Sequence, residues 1–174
     1  MPASTIICVD DEPQVLNAVE RDLRSHYGGK YRIVKAGSGA AGLDLIRRLN
    51  ERGDLVALFL ADQRMPGMTG TEFLAEAKEI YPTAKKVLLT AYADTEAAIS
   101  CINSVGLDHY LMKPWDPPED LLYPVLDDLL ADWEATAPIK YDGIRVAGAL
   151  WSALPETKKS FPCFLDVPQR FPSR

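Results

Sequence analysis

Several side chains able to do chemistry stand where an apolar run gives way to a turn. Thr5-Ile6-Ile7-Cys8-Val9 runs into Asp10 and Asp11, and Leu55 to Ala61 runs into Asp62. Lys86 to Leu89 ends on Thr90, and Leu107 to Met112 ends on Lys113. Carboxylates gathered at one place repel each other, and a hard divalent cation relieves the repulsion. Mg2+ takes a few carboxylates and keeps water in the rest of its octahedral shell, which leaves positions for phosphoryl oxygens. A carboxylate beside it can act as nucleophile toward a phosphoryl group and become an aspartyl phosphate. The transferred group is strongly anionic, so it needs cationic and hydrogen-bonding partners. Lys113 offers an ammonium and Thr90 a hydroxyl. An acid pair, a single acid, a threonine and a lysine together supply the parts of phosphoryl transfer.

These residues meet only if the runs that end on them lie side by side. Apolar, β-branched runs alternate with stretches of helical spacing along the chain. Strands are expected over Thr5–Val9, Tyr31–Val34, Leu55–Ala61, Lys86–Thr90 and Leu107–Met112. Helices are expected from Pro13, over Gly39–Arg52, over Thr71–Ile80 and over Asp94–Ser104. A short turn at 118–122 and a main helix from Tyr123 should follow, because Pro124 is tolerated only in a first turn. Strict alternation implies parallel crossover units in a doubly wound α/β sheet. In such sheets, sites lie beyond the carboxyl ends of the strands, and every candidate falls on that edge.

Composition narrows the function classes. The 25 acidic and 19 basic residues give a net charge of -6, which argues against direct nucleic-acid contact. No stretch approaches the ~20 apolar residues of a membrane span, and no charged-then-apolar leader opens the chain. Cys8, Cys101 and Cys163 are widely spaced and form no CxxC pair. They read as thiols in a reducing cytoplasm. His26 and His109 read as structural or surface residues.

Four segments in order, "VDDE" (9–12), "DQRMPGMTG" (62–70), "LLTAYAD" (88–94) and "HYLMKPW" (109–115), resemble the receiver domains of two-component response regulators over about residues 4–134. The resemblance implies a flavodoxin-like five-stranded fold that switches conformation and catalyses only its own phosphorylation and dephosphorylation. Asp62 is then the phosphoacceptor. Asp10 and Asp11 form the Mg2+-binding pair, joined by Asp62 and the backbone carbonyl of Arg64. Thr90 is the phosphate-sensing hydroxyl, Lys113 the phosphate-binding lysine and Tyr110 the switch aromatic. A cis Lys113–Pro114 bond is also implied. The implied partner is a sensor histidine kinase or phosphotransfer protein. A homodimer through the stripe Leu122, Leu126, Leu129 and Trp133 is a further expectation, although packing on the sheet is the plainer use of that stripe.

Two segments invite other readings. "GSGAAG" (37–42) follows a strand, opens a helix and has an acid twenty residues on, which is the formal dinucleotide fingerprint. The fingerprint belongs to the first strand–helix turn, and "VDDE" occupies that place. The glycines here are read as helix packing, with no organic cofactor. The tail carries "IRVAGALWS" and "PCFLDV", which resemble more loosely a segment linking receivers to thioredoxin-reductase-like modules. The chain is therefore read as a receiver domain over 1–135 and a linker with an incomplete extension over 136–174. The alternatives are a regulatory fragment of a redox fusion and a receiver-like interaction module that is never phosphorylated.

Overall fold

The central strand sets the architecture. All residues of β3 (Val56–Asp62) are buried, so both faces of the sheet must be covered by helices. The structure is a computed structural model that describes residues 4–91 and 106–137. These belong to the first of two units, Met1–Ile139; the second unit, Lys140–Arg174, lies outside the described residues. So does the helix expected over 94–104.

The described elements follow the expected alternation. In chain order they are β1 (Thr5–Val9), α1 (Pro13–Tyr27), β2 (Arg32–Ala36), α2 (Gly39–Glu51), β3, α3 (Gly70–Ile80), β4 (Lys85–Thr90), β5 (His109–Met112), α4 (Pro118–Leu121) and α5 (Tyr123–Thr136). The five strands are parallel in the order β2-β1-β3-β4-β5. This is a flavodoxin-like doubly wound sheet. Pro124 falls in the first turn of α5, after the separate turn α4. Lys113–Pro114 is cis, and so is Asp116–Pro117.

Side chains that alternate along the strands divide the core into two halves. Ile6, Cys8, Leu58, Leu60, Val87 and Leu89 face α1 and α5, meeting Leu16, Leu23, Leu126 and Trp133. Ile7, Val9, Phe59, Ala61 and Leu88 face α2 and α3, meeting Leu43, Ile46, Phe73 and Leu74. The stripe Leu122, Leu126 and Trp133 is buried on the sheet, and Leu129 packs partly against it. Among the described residues, Met112 and Leu121 are the large apolar side chains left exposed.

Element ends differ from the sequence reading for local reasons. β2 begins at Arg32 because the Tyr31 N–H is spent on the Tyr27 carbonyl at the end of α1, at 2.9 Å. β5 begins at His109. Before it, Asp108 closes on Lys86 instead, with its N–H donating to the Lys86 carbonyl and its carboxylate accepting the Lys86 N–H. α3 begins at Gly70, capped by Thr69 and Glu72 in a reciprocal capping box. β3 runs one residue further than expected and includes Asp62 itself.

Of the glycines of 37–42, Gly39 and Gly42 serve packing. Ser38 caps α2 by accepting from the Ala41 N–H at 3.2 Å. A Cβ on Gly42 would stand 2.7 Å from Phe73 and 3.2 Å from Val9, whereas one on Gly37 would meet nothing within 4 Å. Gly42→Ala should therefore cost ~1–3 kcal/mol by overpacking. Gly37→Ala should stay within ~0.5 kcal/mol of the parent. Denaturant melts of both variants check this, and equal effects would contradict a packing role.

Three buried tyrosine hydroxyls predict an alkaline limit. Burial raises Tyr27 and Tyr31 above the ordinary phenol range, and their bonds to Asp127 and Glu134 add to the effect. Burial, with the nearby Asp54 charge, pushes Tyr81 up to about 12. The folded chain thus holds these protons more tightly than the unfolded chain. Their contribution is complete below a pH of about 10, the ordinary tyrosine value, and is lost as pH rises toward the folded values. Denaturation midpoints should fall from about pH 10 upward, and the double variant Tyr27→Phe, Tyr31→Phe should flatten the fall. An identical slope in parent and variant would refute the assignment.

Candidate functional site

The ladder between neighbouring strands continues one step past their ends and fixes the site backbone. The Asp10 N–H donates to the Ala36 carbonyl at 3.2 Å, the Gln63 N–H to Leu89 at 2.9 Å and the Lys113 N–H to Thr90 at 2.9 Å. Three chain segments distant in sequence are thereby held at one edge. They line a cleft of about 530 Å3 whose walls include Asp10, Asp11, Asp62, Gln63, Arg64 and Lys113.

Lys113 sits between two of the acids. Its Nζ lies 2.7 Å from Asp10 Oδ2 and 2.5 Å from Asp62 Oδ1. Asp10 is 2% exposed and Asp62 6%, so neither carboxylate can rely on bulk water. Each also accepts a backbone bond from its own loop. Glu12 N–H donates to Asp10 Oδ1 at 2.8 Å, and Arg64 N–H donates to Asp62 Oδ2 at 2.7 Å. Burial alone would lower the Lys113 ammonium, but the bonds to Asp10 and Asp62 outweigh it and the net shift is upward. The lysine is therefore charged at neutral pH. Asp11 is exposed beside this trio.

The turn after β3 is held by crowding. A Cβ on Gly70 would stand 2.2 Å from the Asp62 carbonyl oxygen, and the Gly70 N–H donates to the Gln63 carbonyl at 3.2 Å. Gly67 turns the loop at φ +79°, in the region that favours glycine. Helix α3 thus starts directly against the residue that carries the acid.

Of the residues singled out in the sequence, the structure brings Asp10, Asp11, Asp62, Arg64 and Lys113 to one cleft. Thr90 is buried at its margin. Its hydroxyl donates to the Ala91 carbonyl at 3.1 Å, and Ala91 forms the wall there. Tyr110 is partly buried and stacks on His109, with ring centroids 5.9 Å apart, while its body packs on the α2–α3 side of the core. The backbone donors of Glu12 and Arg64 escaped the sequence reading because no side-chain type marks an N–H aimed two residues back. Gln63 also lines the cleft without having been foreseen.

The donor chemistry fits a hard cation. Asp10, Asp11 and Asp62 contribute only oxygen, and Asp11 is an exposed residue of the cleft lining. Among the described residues, no three His, Cys, Asp or Glu side chains stand together as a ready-made cation site, so a cation would need water and backbone oxygen as well. An open, partly hydrated site is the kind that Mg2+ prefers. Cys8, by contrast, offers nothing reactive. It is wholly buried in β1, and burial pushes its thiol well above the ordinary range.

The chain is similar to proteins of known type. The chain is 34% identical over 114 residues to the hydrogenase transcriptional regulatory protein HoxA of Cupriavidus necator, covering 66% of this chain and 22% of HoxA. It is 31% identical over 120 residues to the nitrate/nitrite response regulator protein NarP of Escherichia coli, covering 67% of this chain and 53% of NarP. The chain thus spans between about a fifth and a half of these relatives. Among solved structures, a CheY-like response regulator receiver domain protein from Methanospirillum hungatei superposes with a TM-score of 0.64 at 28% identity. The match covers 77% of this chain and 98% of that one. Residues 6–123 match the family described as the response regulator receiver domain. The chain therefore belongs to the receiver domains of two-component response regulators.

Proposed function

We propose that the module over 1–135 accepts a phosphoryl group on Asp62 from a histidine kinase, a phosphotransfer protein or a small phosphodonor. The observation that carries this reading is the Lys113 ammonium held between Asp10 and Asp62 at 2.7 and 2.5 Å, on the edge where the strands end. Asp62 Oδ attacks phosphorus as the bond from phosphorus to the donor's histidine nitrogen, or to an acyl oxygen, breaks. Lys113 then shifts from carboxylate toward the phosphoryl oxygens and neutralises part of their charge. Asp10, Asp11, Asp62 and the carbonyl of Arg64 are the residues that would hold Mg2+, which supplies charge neutralisation for the transferring group.

Switching follows from added charge. A phosphoryl group on Asp62 replaces about one negative charge by about two. The Thr90 hydroxyl, now spent on a neighbouring carbonyl, exchanges that bond for one to the phosphoryl group. The space it vacates admits the half-buried ring of Tyr110. A few kcal/mol of differential interaction suffices for such a population shift. HoxA is by name a transcriptional regulatory protein and NarP a response regulator, and for this chain the net charge of -6 favours a switching role over direct DNA contact. The extension 136–174 is proposed as an accessory to the module. Its loose likeness to a reductase-linked segment falls outside both the matched stretch and the described residues.

Incubation with Mg2+ and acetyl phosphate, followed by intact-mass measurement, tests the reading. Asp62→Asn should keep the far-ultraviolet circular dichroism of the parent and gain no phosphoryl mass, because the amide is near-isosteric but not nucleophilic. A variant that gains the mass at the parental rate would move the acceptor elsewhere.

Asp11→Ala should weaken Mg2+ binding and slow phosphorylation by about tenfold or more, with stability within ~0.5 kcal/mol of the parent because the side chain is exposed. Calorimetric titration with Mg2+ measures the first effect, and unchanged affinity would remove Asp11 from the metal shell.

A further inference from the structure

A third buried acid, beyond Asp10 and Asp62, lies where phosphoryl chemistry has no use for it. Asp22 lies on α1 next to the apolar stripe Leu16, Val19 and Leu23, and is 8% exposed. A carboxylate in such a place is costly unless every oxygen is engaged. Its Oδ2 accepts from the indole Nε1–H of Trp115 at 3.1 Å. Its Oδ1 accepts from Arg21 Nε at 3.0 Å and pairs with Arg21 Nη2 at 2.9 Å. Its backbone carbonyl accepts from the Tyr123 hydroxyl at 3.1 Å.

The partner of this acid is the residue that ends the lysine loop. Only Pro114 separates Trp115 from Lys113, and the loop then runs on to α4. Upstream, the Lys113 N–H is tied to Thr90. Downstream, Trp115 is 8% exposed, packed in the α1–α5 half of the core and tied through its nitrogen to Asp22. The contrast with Trp133 is informative. That indole is also buried, yet among the described residues its Nε1 has no hydrogen-bond partner. Trp115, by contrast, is given a charged acceptor, and hydrogen bonds to charged groups are the stronger kind.

We propose that Asp22 is a positioning residue for Lys113. It anchors the Trp115 indole, and this anchor fixes the downstream end of the loop so that the ammonium stays between Asp10 and Asp62. The inference rests on the phosphoacceptor reading for its consequence in rate, but the positioning itself can be read without phosphorylation.

The test uses the full chain and the variants Asp22→Ala, Asp22→Asn, Trp115→Phe, Arg21→Ala and the pair Asp22→Ala with Trp115→Phe. Phosphorylation by acetyl phosphate should slow on the order of tenfold in Asp22→Ala and in Trp115→Phe, since small displacements of a positioned group are costly. The pair should be no slower than either single change, because both remove one bond. Asp22→Asn keeps a carbonyl acceptor and should recover most of the rate, and Arg21→Ala should match the parent. Independently, amide exchange at Lys113 should quicken in Asp22→Ala relative to amides of β1 and β3. The assigned Trp115 indole N–H signal should also lose its hydrogen-bonded shift. Exchange that rises uniformly across the sheet, or an Asp22→Asn as slow as Asp22→Ala, would overturn the positioning role. If the parent chain takes up no phosphoryl group, the phosphoacceptor reading fails, and the Lys113 exchange alone decides the positioning.

Discussion

One ammonium holds this edge together. Asp10 and Asp62 are both nearly sealed from water and stand close enough to share Lys113. Two buried carboxylates in that position would drive their strands apart, and a lone buried lysine would lose its charge. The three-way contact resolves both problems, and it also couples them. Anything that draws the lysine away leaves two acids facing each other, so a new anion at Asp62 must be met by other positive charge. Under the proposed reading, an acidic cleft with one captive lysine would answer added phosphate and cation together.

The rest of the fold serves that contact by delivering its members from distant parts of the chain. Asp10, Asp62 and Lys113 arrive on β1, β3 and β5, with β4 between the last two as a spacer. Their backbones are aligned by parallel-ladder bonds that extend past the regular strands. The core behind them is divided evenly between α1–α5 and α2–α3. The Lys113 side of the site leans on the first half. The Asp62 turn leans on the second, where α3 starts against the acid.

The architecture was legible because period and punctuation agree. β3 is an unbroken apolar run, α1 repeats Leu16, Val19 and Leu23 at helical spacing, and Pro124 can only open a helix. The site was legible because its side chains end those runs. What escaped was of two kinds. Element ends moved where a backbone group was already engaged, as at Tyr31 and Asp108. Contacts across the fold left no trace either: Asp22 and Trp115 are 93 positions apart, and an acid inside a helix is ordinarily read as solvated. Thr90 and Tyr110 were located in the sequence, but which way a hydroxyl or ring turns depends on neighbours the sequence does not name.

The close approach of Gly70 to Asp62 has a consequence for how this loop can vary. Its first and last residues are in contact, with no room for even one methyl group between them. Arg64, Pro66 and Gly67 between them face solvent. The segment is thus locked in length by its two ends. An added residue would have to lever α3 away from the strand that carries the acid, whereas a changed side chain at exposed Pro66 leaves that contact in place. A library of loop insertions set against one of substitutions at 66 would display the difference as lost folding on one side and retained folding on the other.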